Sequence, residues 1–547
     1  MLDLADDSAL YELRGTIWRQ STVDPSTAST VPHLIRLLDD ADANTALVLD
    51  VLSDLAPAGD VPAGLPVYLR LLAAHPDPDV RVAAAGTVGA LGPDVAGGAV
   101  AALRQAAGGD TGEIVRLAAI NALAARGEAV EEYLGNSSPL ARLGAALVLA
   151  RTGDALPETV SAVLERDTPA CLEAIGRLPN FDDDPLIWVL RELEHRRDLQ
   201  TELVSAWLRH PDPVVREGAA YAAEEPLMHW RPAAGLLAPL LAGALSDPAP
   251  KVRYWAVRNL SHSGRITAAH ADDLAATGEL SAMIALAGLG DPRADAYLAG
   301  LLRSLPDADL ERLGAAIEAL GPWATGCRAV ILDAVEVAPA GPVRTALIRA
   351  AQRMDLPVGD LVPMLRREAS TDPLTVAGIL GDLGPDAADA LPELAVLRKS
   401  ADAPVRIRAA RAQWRIAGDD LLAVLRAEIA EPEALTVLAE LGPAGAPLAE
   451  LLPPLFTSTV RAAVAYWHVT GDAAPVVPVL LRHLTGGPSG LIAVECLGTI
   501  GPAAEAAVPV LRAAVESPYR LSPAGYDGVR QDEAWRDACA AALARIG

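Results

Sequence analysis

The sequence is poor in large aromatic residues and in lysine. Only two of its 547 residues are phenylalanine and 4% are aromatic, although 51% are hydrophobic. The core must therefore consist mainly of alanine and aliphatic side chains, whose small size lets helices approach one another closely. Lysine occurs only at Lys251 and Lys399, so nearly all of the 45 basic residues are arginine. Because arginine is spread over the whole chain, this bias does not mark one site.

Cysteine is also scarce and carries no metal-binding pattern. The four cysteines lie far apart and form neither a CxxC motif nor another zinc spacing; they are Cys171, Cys327, Cys496 and Cys539. We expect them to be buried small hydrophobic residues in a reducing compartment. The sequence predicts no metal site and no cofactor.

Targeting and membrane signals are missing as well. The acidic start MLDLADDSAL lacks the basic and apolar regions of a signal peptide. No uncharged apolar run approaches the roughly 20 residues of a membrane-spanning helix. We therefore expect a cytoplasmic protein with no membrane contact.

The charge balance bears on the partner. The net charge is −26 and the sequence pI is about 4.7. Because duplex binding depends on neutralising phosphates with basic side chains, this balance opposes nucleic acid as the main partner. An acidic surface instead favours association with a basic protein.

Common catalytic motifs are absent too. The chain has no Gly-x-Ser-x-Gly, no P-loop and no His-Glu-x-x-His. This favours a non-enzymatic role.

What is present is a repeated helical unit, seen in PDPDVRVAAAGTVGALGP at residues 76–93. Asp77 can cap a helix, Pro78 fits its first turn, and Gly92 can end it in a left-handed conformation. The apolar stripe of this helix comprises Val80, Ala84, Val88 and Leu91. Near-copies begin at residues 211, 247 and 402, so the segment is a structural unit used many times.

A Gly-containing stop closes each unit, and a second helical pattern lies between successive stops, which are about 25 to 46 residues apart. Each unit is then a pair of antiparallel helices that buries its apolar face only by stacking on its neighbours. The sequence predicts an all-α fold, a right-handed α-solenoid of about fifteen helix pairs. We expect one continuous solenoid over residues 1–547, with capping repeats at 1–60 and a C-terminal cap at 516–547.

The repeats resemble the HEAT-repeat family, in the short form found in phycobilisome-lyase-type proteins. The resemblance rests on Asp79, Val80, Arg81, Ala84, Ala85, Leu91 and Gly92. It implies an armadillo/HEAT-type superhelix. Because solenoids supply extended concave surfaces, we expect a non-enzymatic scaffold or adaptor that holds a basic protein partner, and one concrete form is an immunity-type protein. The alternative is an enzyme, or a lyase or chaperone subunit, that binds a small aromatic ligand as bilin lyases do. No His-Glu dipeptide occurs, so a di-iron site is not expected.

An arginine recurs near the start of the second helix of many pairs. A functional interpretation makes these residues a ladder for phosphates, whereas a structural one pairs each with an aspartate of its own or an adjacent repeat. The regular recurrence favours the structural interpretation. The residues are Arg81, Arg116, Arg142, Arg216, Arg253, Arg406 and Arg461.

Three regions depart from the repeat. Residues 14–31 form a polar stretch that we interpret as a capping loop, and residues 516–533 are interpreted as a surface insertion. Residues 180–270 hold four of the nine tryptophans and five of the nine histidines.

Because Trp and Arg dominate interface energetics, we predict that any principal binding surface includes residues 188–262. The candidate residues are His229, Trp230, Lys251, Tyr254, Trp255 and Arg258. We expect either Tyr254 or Trp255 to face the core and the other to face a partner. An irregular helix pair that needs bulky fillers is the competing explanation.

Overall fold

The structure is a computed structural model that describes most of the chain. The described residues are 7–20, 29–40, 43–56, 60–92, 95, 98–153, 158–178, 184–303, 310–321, 324–338, 341–354, 356–485, 487–521 and 528–547. Their secondary structure is helical, apart from one isolated β-bridge between Trp230 and Tyr519. The prediction of an all-α solenoid is confirmed.

The chain divides into two compact units, Met1–Glu225 and Pro226–Gly547. Each is described separately. The expectation of one uninterrupted solenoid stays a prediction.

The first unit stacks helices in sequential pairs. Its α-helices are Asp7–Gln20, Val31–Leu37, Thr45–Leu55, Leu65–Ala74, Pro78–Ala90, Ala99–Gly109, Glu113–Ala125, Pro139–Thr152, Glu158–Ala170, Leu172–Ile175, Pro185–Glu192, Arg197–Trp207 and Pro213–Ala222, with 3-10 helices at Val61–Gly64 and Glu131–Gly135. Helix Asp7–Gln20 contains residues 14–20, so the predicted loop over 14–31 is wrong there. The pattern of that helix is weakly amphipathic, which is why the sequence suggested a loop; residues 21–28 lie outside the described part.

The second unit also consists of stacked helices, and the short helix Glu224–His229 contains the boundary between the units in the sequence. Its α-helices are Ala233–Ala244, Pro250–Ser261, Ala271–Thr277, Leu280–Gly288, Arg293–Leu302, Leu310–Leu320, Thr325–Arg328, Ile331–Val337, Pro342–Arg353, Val358–Glu368, Pro373–Leu383, Leu391–Leu397, Ala403–Ala417, Leu422–Ala427, Pro432–Leu441, Val460–Thr470, Val477–Arg482, Pro488–Ile500, Val508–Glu516 and Gly528–Ile546. Its 3-10 helices are Gly264–His270, Gly384–Ala390, Gly442–Leu451, Pro453–Leu455 and Gly501–Ala507.

The helix Pro78–Ala90 forms for the reasons that its sequence suggests. The Asp77 carboxylate accepts a hydrogen bond from the backbone N–H of Asp79 at 2.9 Å, and Pro78 occupies the first turn. The predicted apolar stripe is buried. Gly92 has a φ of 76°, a left-handed value that favours glycine and ends the helix.

The second helices of consecutive pairs pack closely because small residues meet between them. A Cβ atom placed on Gly89 would lie 2.9 Å from the Cα and Cβ of Ala122 in the next second helix, and Gly381 faces Ala412 in the same way at 3.1 Å. The second helices make more contact with one another than the first helices do. Because a two-layer stack curves toward its more closely packed layer, we infer that the second helices line the concave side of each unit.

The apolar core consists of clusters of buried aliphatic and alanine side chains, and it accounts for the cysteines. All four are buried, and burial raises the pKa of Cys171 and of Cys496 to about 12. These thiols are therefore core residues. One segment, Pro488–Glu516, is long and apolar enough to cross a membrane by length and composition, and half of it is buried in the protein. It turns at Gly501, whose φ is 69°, and so belongs to a stacked helix pair.

Candidate functional site

The second unit closes on itself. Residues 229–231 run alongside residues 518–520: the Arg231 N–H donates to the Pro518 carbonyl and the Arg520 N–H donates to the His229 carbonyl, each at 2.8 Å. The bridge between Trp230 and Tyr519 lies between these two hydrogen bonds. We call this contact the closure. It joins segments almost 290 residues apart and makes the concave side of the second unit a bounded surface.

A buried carboxylate holds the closure. Asp532 accepts from Arg231 Nε at 2.9 Å, from Arg231 Nη2 at 2.8 Å and from Arg520 Nη1 at 3.0 Å. Its side chain is completely buried, and the two arginine side chains are 8% and 5% exposed. Arg520 Nε also donates to the Leu227 carbonyl at 2.9 Å. Burial lowers the pKa of Arg520, although Asp532 counteracts this.

These contacts correct the interpretation of residues 516–533 as a surface insertion. Residues 517–521 pack on the beginning of the second unit, and residues 528–533 start the last helix. Residues 522–527 lie outside the described part. A pairing partner so far away in sequence leaves no local pattern, so the sequence analysis could not identify it.

The closure also includes two of the predicted site residues. The backbone of His229 and Trp230 pairs with residues 519 and 520, so both have a structural role whatever else they do. Part of the irregularity in residues 180–270 follows from this pairing.

The other four predicted residues share one second helix, Pro250–Ser261. The rings of Tyr254 and Trp255 meet edge to face with centroids 5.0 Å apart. The Arg258 guanidinium carbon lies 5.4 Å from the centroid of the Trp255 ring, within the range of a cation–π contact. Tyr254 is 57% exposed and Trp255 is half-buried. With the exposed Lys251, these side chains form what we call the aromatic patch.

The remaining tryptophans of the predicted region do not join this patch. Trp207 is buried in the first unit, where its indole N–H donates to the Glu165 carbonyl at 3.2 Å. Trp188 also belongs to the first unit. The enrichment of aromatic residues over 188–262 therefore combines core packing, the closure and the aromatic patch.

The recurring arginines have a structural role. Arg81 donates to the carbonyls of His75 and Pro76 in its own turn and to both carboxylate oxygens of Asp110 in the next repeat, at 3.0 Å. Arg142 repeats this arrangement with Asp167. The carboxylate comes from the following repeat and not from the aspartate at the start of the same helix. Related contacts to turn carbonyls involve Arg116, Arg216, Arg253, Arg344 and Arg406, whereas Arg461 donates to a threonine hydroxyl.

A cleft of about 660 Å³ lies on the concave side of the second unit. Its floor is the helix Pro373–Leu383, which contributes small side chains. Helices Pro342–Arg353 and Ala403–Ala417 flank this floor. The lining residues are Glu318, Arg349, Gln352, Arg353, Thr375, Gly378, Ile379, Asp382 and Arg408.

Charged side chains line the cleft, and its arginines differ in whether they form ion pairs with carboxylates. Arg353 Nε lies 3.3 Å from Glu318, and Arg408 Nε lies 2.7 Å from Glu433. Arg349 is exposed and makes no ion pair or hydrogen bond with the residues that the structure describes. No aromatic ring lines the cleft. Such a surface binds polar groups better than a flat aromatic ligand.

Among the residues that the structure describes, no group of three or more His, Cys, Asp or Glu side chains could hold a metal ion.

Comparison with protein families identifies the repeat. The family described as HEAT repeats matches residues 65–132. Residues 65–132 therefore match HEAT repeats. No curated protein matches it.

Among solved structures, the complex of Kap95 with Nup1 has a TM-score of 0.45 and 12% identity, with 99% of this chain and 92% of that chain covered. Importin beta in an ammonium sulfate condition gives 0.44 and 11%, covering 98% and 92%. Yeast importin-beta, Kap95p, gives 0.42 and 12%, covering 98% and 93%. These likenesses are too distant to carry a functional argument. The resemblance to the phycobilisome-lyase form of the repeat stays a prediction.

Proposed function

We propose that this HEAT-repeat protein is a non-enzymatic scaffold that holds a protein partner on the concave side of its second unit. The observation that carries the proposal is the bounded concave surface, on which the aromatic patch and the charged cleft both belong to second helices. Stacked repeats supply extended concave surfaces of this kind.

The aromatic patch fits an interface better than a core. Tyr254 presents a large apolar area and a hydroxyl to solvent, and its ring is oriented by the edge-to-face contact with Trp255. An oriented aromatic side chain loses little conformational entropy on binding, which favours its use as an interface anchor.

The chain-wide charge of −26 supports a partner that is basic as a whole, because long-range attraction accelerates encounter. That attraction acts over about 8 Å at physiological ionic strength, so contacts after docking depend on local charges. A cytoplasmic location and the immunity-type role stay predictions. The alternative, a small aromatic ligand, gains no support from the cleft, whose lining is charged.

The test is affinity capture from the native cell with the full chain, followed by mass spectrometry. Tyr254→Ala and Arg349→Glu alter the concave side. Arg482→Glu makes the same charge change as Arg349→Glu at an exposed arginine of Val477–Arg482, which is the first helix of its own pair. We expect capture of a protein that the two concave variants reduce and the Arg482 variant retains. Equal capture by all three folded variants would refute the proposal.

A further inference from the structure

The second helices differ in charge from the chain that contains them. Four second helices of the second unit carry basic residues and no acidic residue: Pro250–Ser261 and Pro342–Arg353 have three each, Ala403–Ala417 has four, and Val460–Thr470 has two. These helices are positive on their own in a chain of net charge −26. The four arginines of Ala403–Ala417 are ion-paired with carboxylates of neighbouring elements, and so is Arg353, whereas Arg349 is not paired with any residue that the structure describes. Two of these helices flank the cleft.

The cleft lies over an open space at Gly378 in its floor helix. Thr375, Gly378, Ile379 and Asp382 recur with helical spacing along one face of Pro373–Leu383. A Cβ atom placed on Gly378 would approach only the side chain of Arg408, at 3.9 Å. The space above Gly378 is therefore open and contributes nothing to the core.

The arginines around this space have unused hydrogen-bonding capacity. Arg349 is exposed and has no partner among the described residues, and the ion pair of Arg353 with Glu318 uses Nε. A guanidinium offers five N–H donors in a planar fork that matches a carboxylate with two hydrogen bonds. Two such groups on adjacent turns of one helix suit closely spaced carboxylates.

We infer that this cleft binds an acidic peptide segment of the partner, with Arg349 and Arg353 receiving its carboxylates. The inference rests on the proposed scaffold function and specifies the chemistry of one contact. The cleft also contains the carboxylates of Glu318 and Asp382, which are ion-paired with arginines of the second helices. Because these carboxylates interrupt the positive lining, they disfavour a continuous polyanion and fit a peptide whose carboxylates alternate with polar groups. This disfavours nucleic acid, as does the chain-wide charge. A partner can be basic as a whole and still carry such a segment.

The experiment measures fluorescence anisotropy of labelled peptides with the full chain at about 150 mM salt. The probes are a short peptide of alternating glutamate and serine, its lysine–serine counterpart, and a single-stranded DNA oligonucleotide. The variants are Arg349→Glu, Arg349→Gln and Gly378→Val, with Arg482→Glu as the matched charge control.

We expect the glutamate peptide to bind best and to weaken as salt rises. Arg349→Glu should lower its affinity by about tenfold or more, because a charge-assisted pair is replaced by repulsion, and Arg349→Gln should lower it less. Gly378→Val should lower it through occupied space, with thermal melting little changed, since an added Cβ atom approaches only the side chain of Arg408. Arg482→Glu should keep the affinity within about twofold.

Three results would overturn the inference: preference for the lysine peptide, preference for the oligonucleotide, or unchanged binding in folded Arg349→Glu and Gly378→Val variants. Partner capture separates this failure from that of the scaffold function. If Tyr254→Ala still reduces capture while the glutamate peptide fails to bind, the scaffold stands and the inference fails. If no concave variant reduces capture, both fail.

Discussion

Two glycines of one helix test how the repeats are held together. Gly89 and Gly86 both lie in Pro78–Ala90, one turn apart. Gly89 is buried, and a Cβ atom at this position would lie 2.9 Å from both the Cα and the Cβ of Ala122. No flexible side-chain end can yield there, because the contact is with the backbone of the adjacent second helix. Gly89→Ala must therefore push two second helices apart.

The magnitude follows from two opposing effects. Replacing a helical glycine by alanine gains about 0.5–1 kcal/mol by restricting the unfolded chain. Forcing a methyl group into a close-packed contact costs about 1–3 kcal/mol. We expect a net loss of about 1–2 kcal/mol for Gly89→Ala. At Gly86 an added Cβ meets nothing within 4 Å, so only the gain applies and Gly86→Ala should stabilise by about 0.5–1 kcal/mol.

The assay is urea unfolding followed by far-ultraviolet circular dichroism, with both variants compared with the native chain. Repeat arrays need not unfold in one step, but the two positions share a helix and report on the same step. Opposite shifts of the unfolding midpoint are expected. If Gly89→Ala were as stable as Gly86→Ala, close approach of the second helices would not limit the packing, and the argument for the concave side would fail.

Three further predictions concern the closure, the aromatic patch and acid stability. Asp532→Asn should destabilise the second unit by about 3–5 kcal/mol, because two buried arginines lose their carboxylate. The control Asp537→Asn removes one partner of an exposed ion pair and should cost at most about 1 kcal/mol. Equal shifts of the urea unfolding midpoint in the two variants would contradict this. Tyr254→Ala should change stability by no more than about 0.5 kcal/mol and reduce partner capture, and a large drop in melting temperature would instead place it in the core. Burial raises the pKa of Asp167, but hydrogen bonds from two arginines outweigh this, so its net pKa lies below the usual value. The unfolded chain therefore binds the proton of Asp167 more readily than the folded chain does. The stability that Asp167 contributes should be complete above about pH 4 and lost as pH falls through the lowered pKa. Asp167→Asn should therefore make the urea unfolding midpoint depend less on acid pH.

The repeat was predictable because its determinants are local. Asp77, Pro78 and Gly92 act within a few residues of the helix that they bound, so one segment is enough to identify them. The same signals at the later stops correctly placed most of the helix ends. The stop at Gly153 is an exception: its φ is −95°, so the helix ends there without a left-handed residue.

The candidate site was predictable only in part, because a surface depends on which helix faces which. Composition drew attention to Tyr254 and Trp255, which form an edge-to-face pair in which Tyr254 is exposed and Trp255 is half-buried. The expectation that one of them faces the core stays a prediction. The binding role of the six predicted residues stays a prediction. The arginine-flanked cleft was missed, because Arg349 and Arg408 are 59 positions apart and meet only through the stacking of three repeats. A signal was present in the sequence: VRTALIRAAQR and VRIRAARAQWR carry several arginines and no acid in a strongly acidic chain.

The closure explains why an irregular segment can be required by the fold. A stack of repeats can end at any helix whose outer face is polar. Nothing in a repeat unit therefore specifies contact between the two ends of the stack. Contact requires residues outside the repeat pattern at both ends, and these are the 229–231 strand-like segment and the 517–521 segment. Bringing together two arginines and one aspartate there costs desolvation, which their hydrogen bonds recover only with the correct geometry. Such a contact therefore contributes more to register than to net stability.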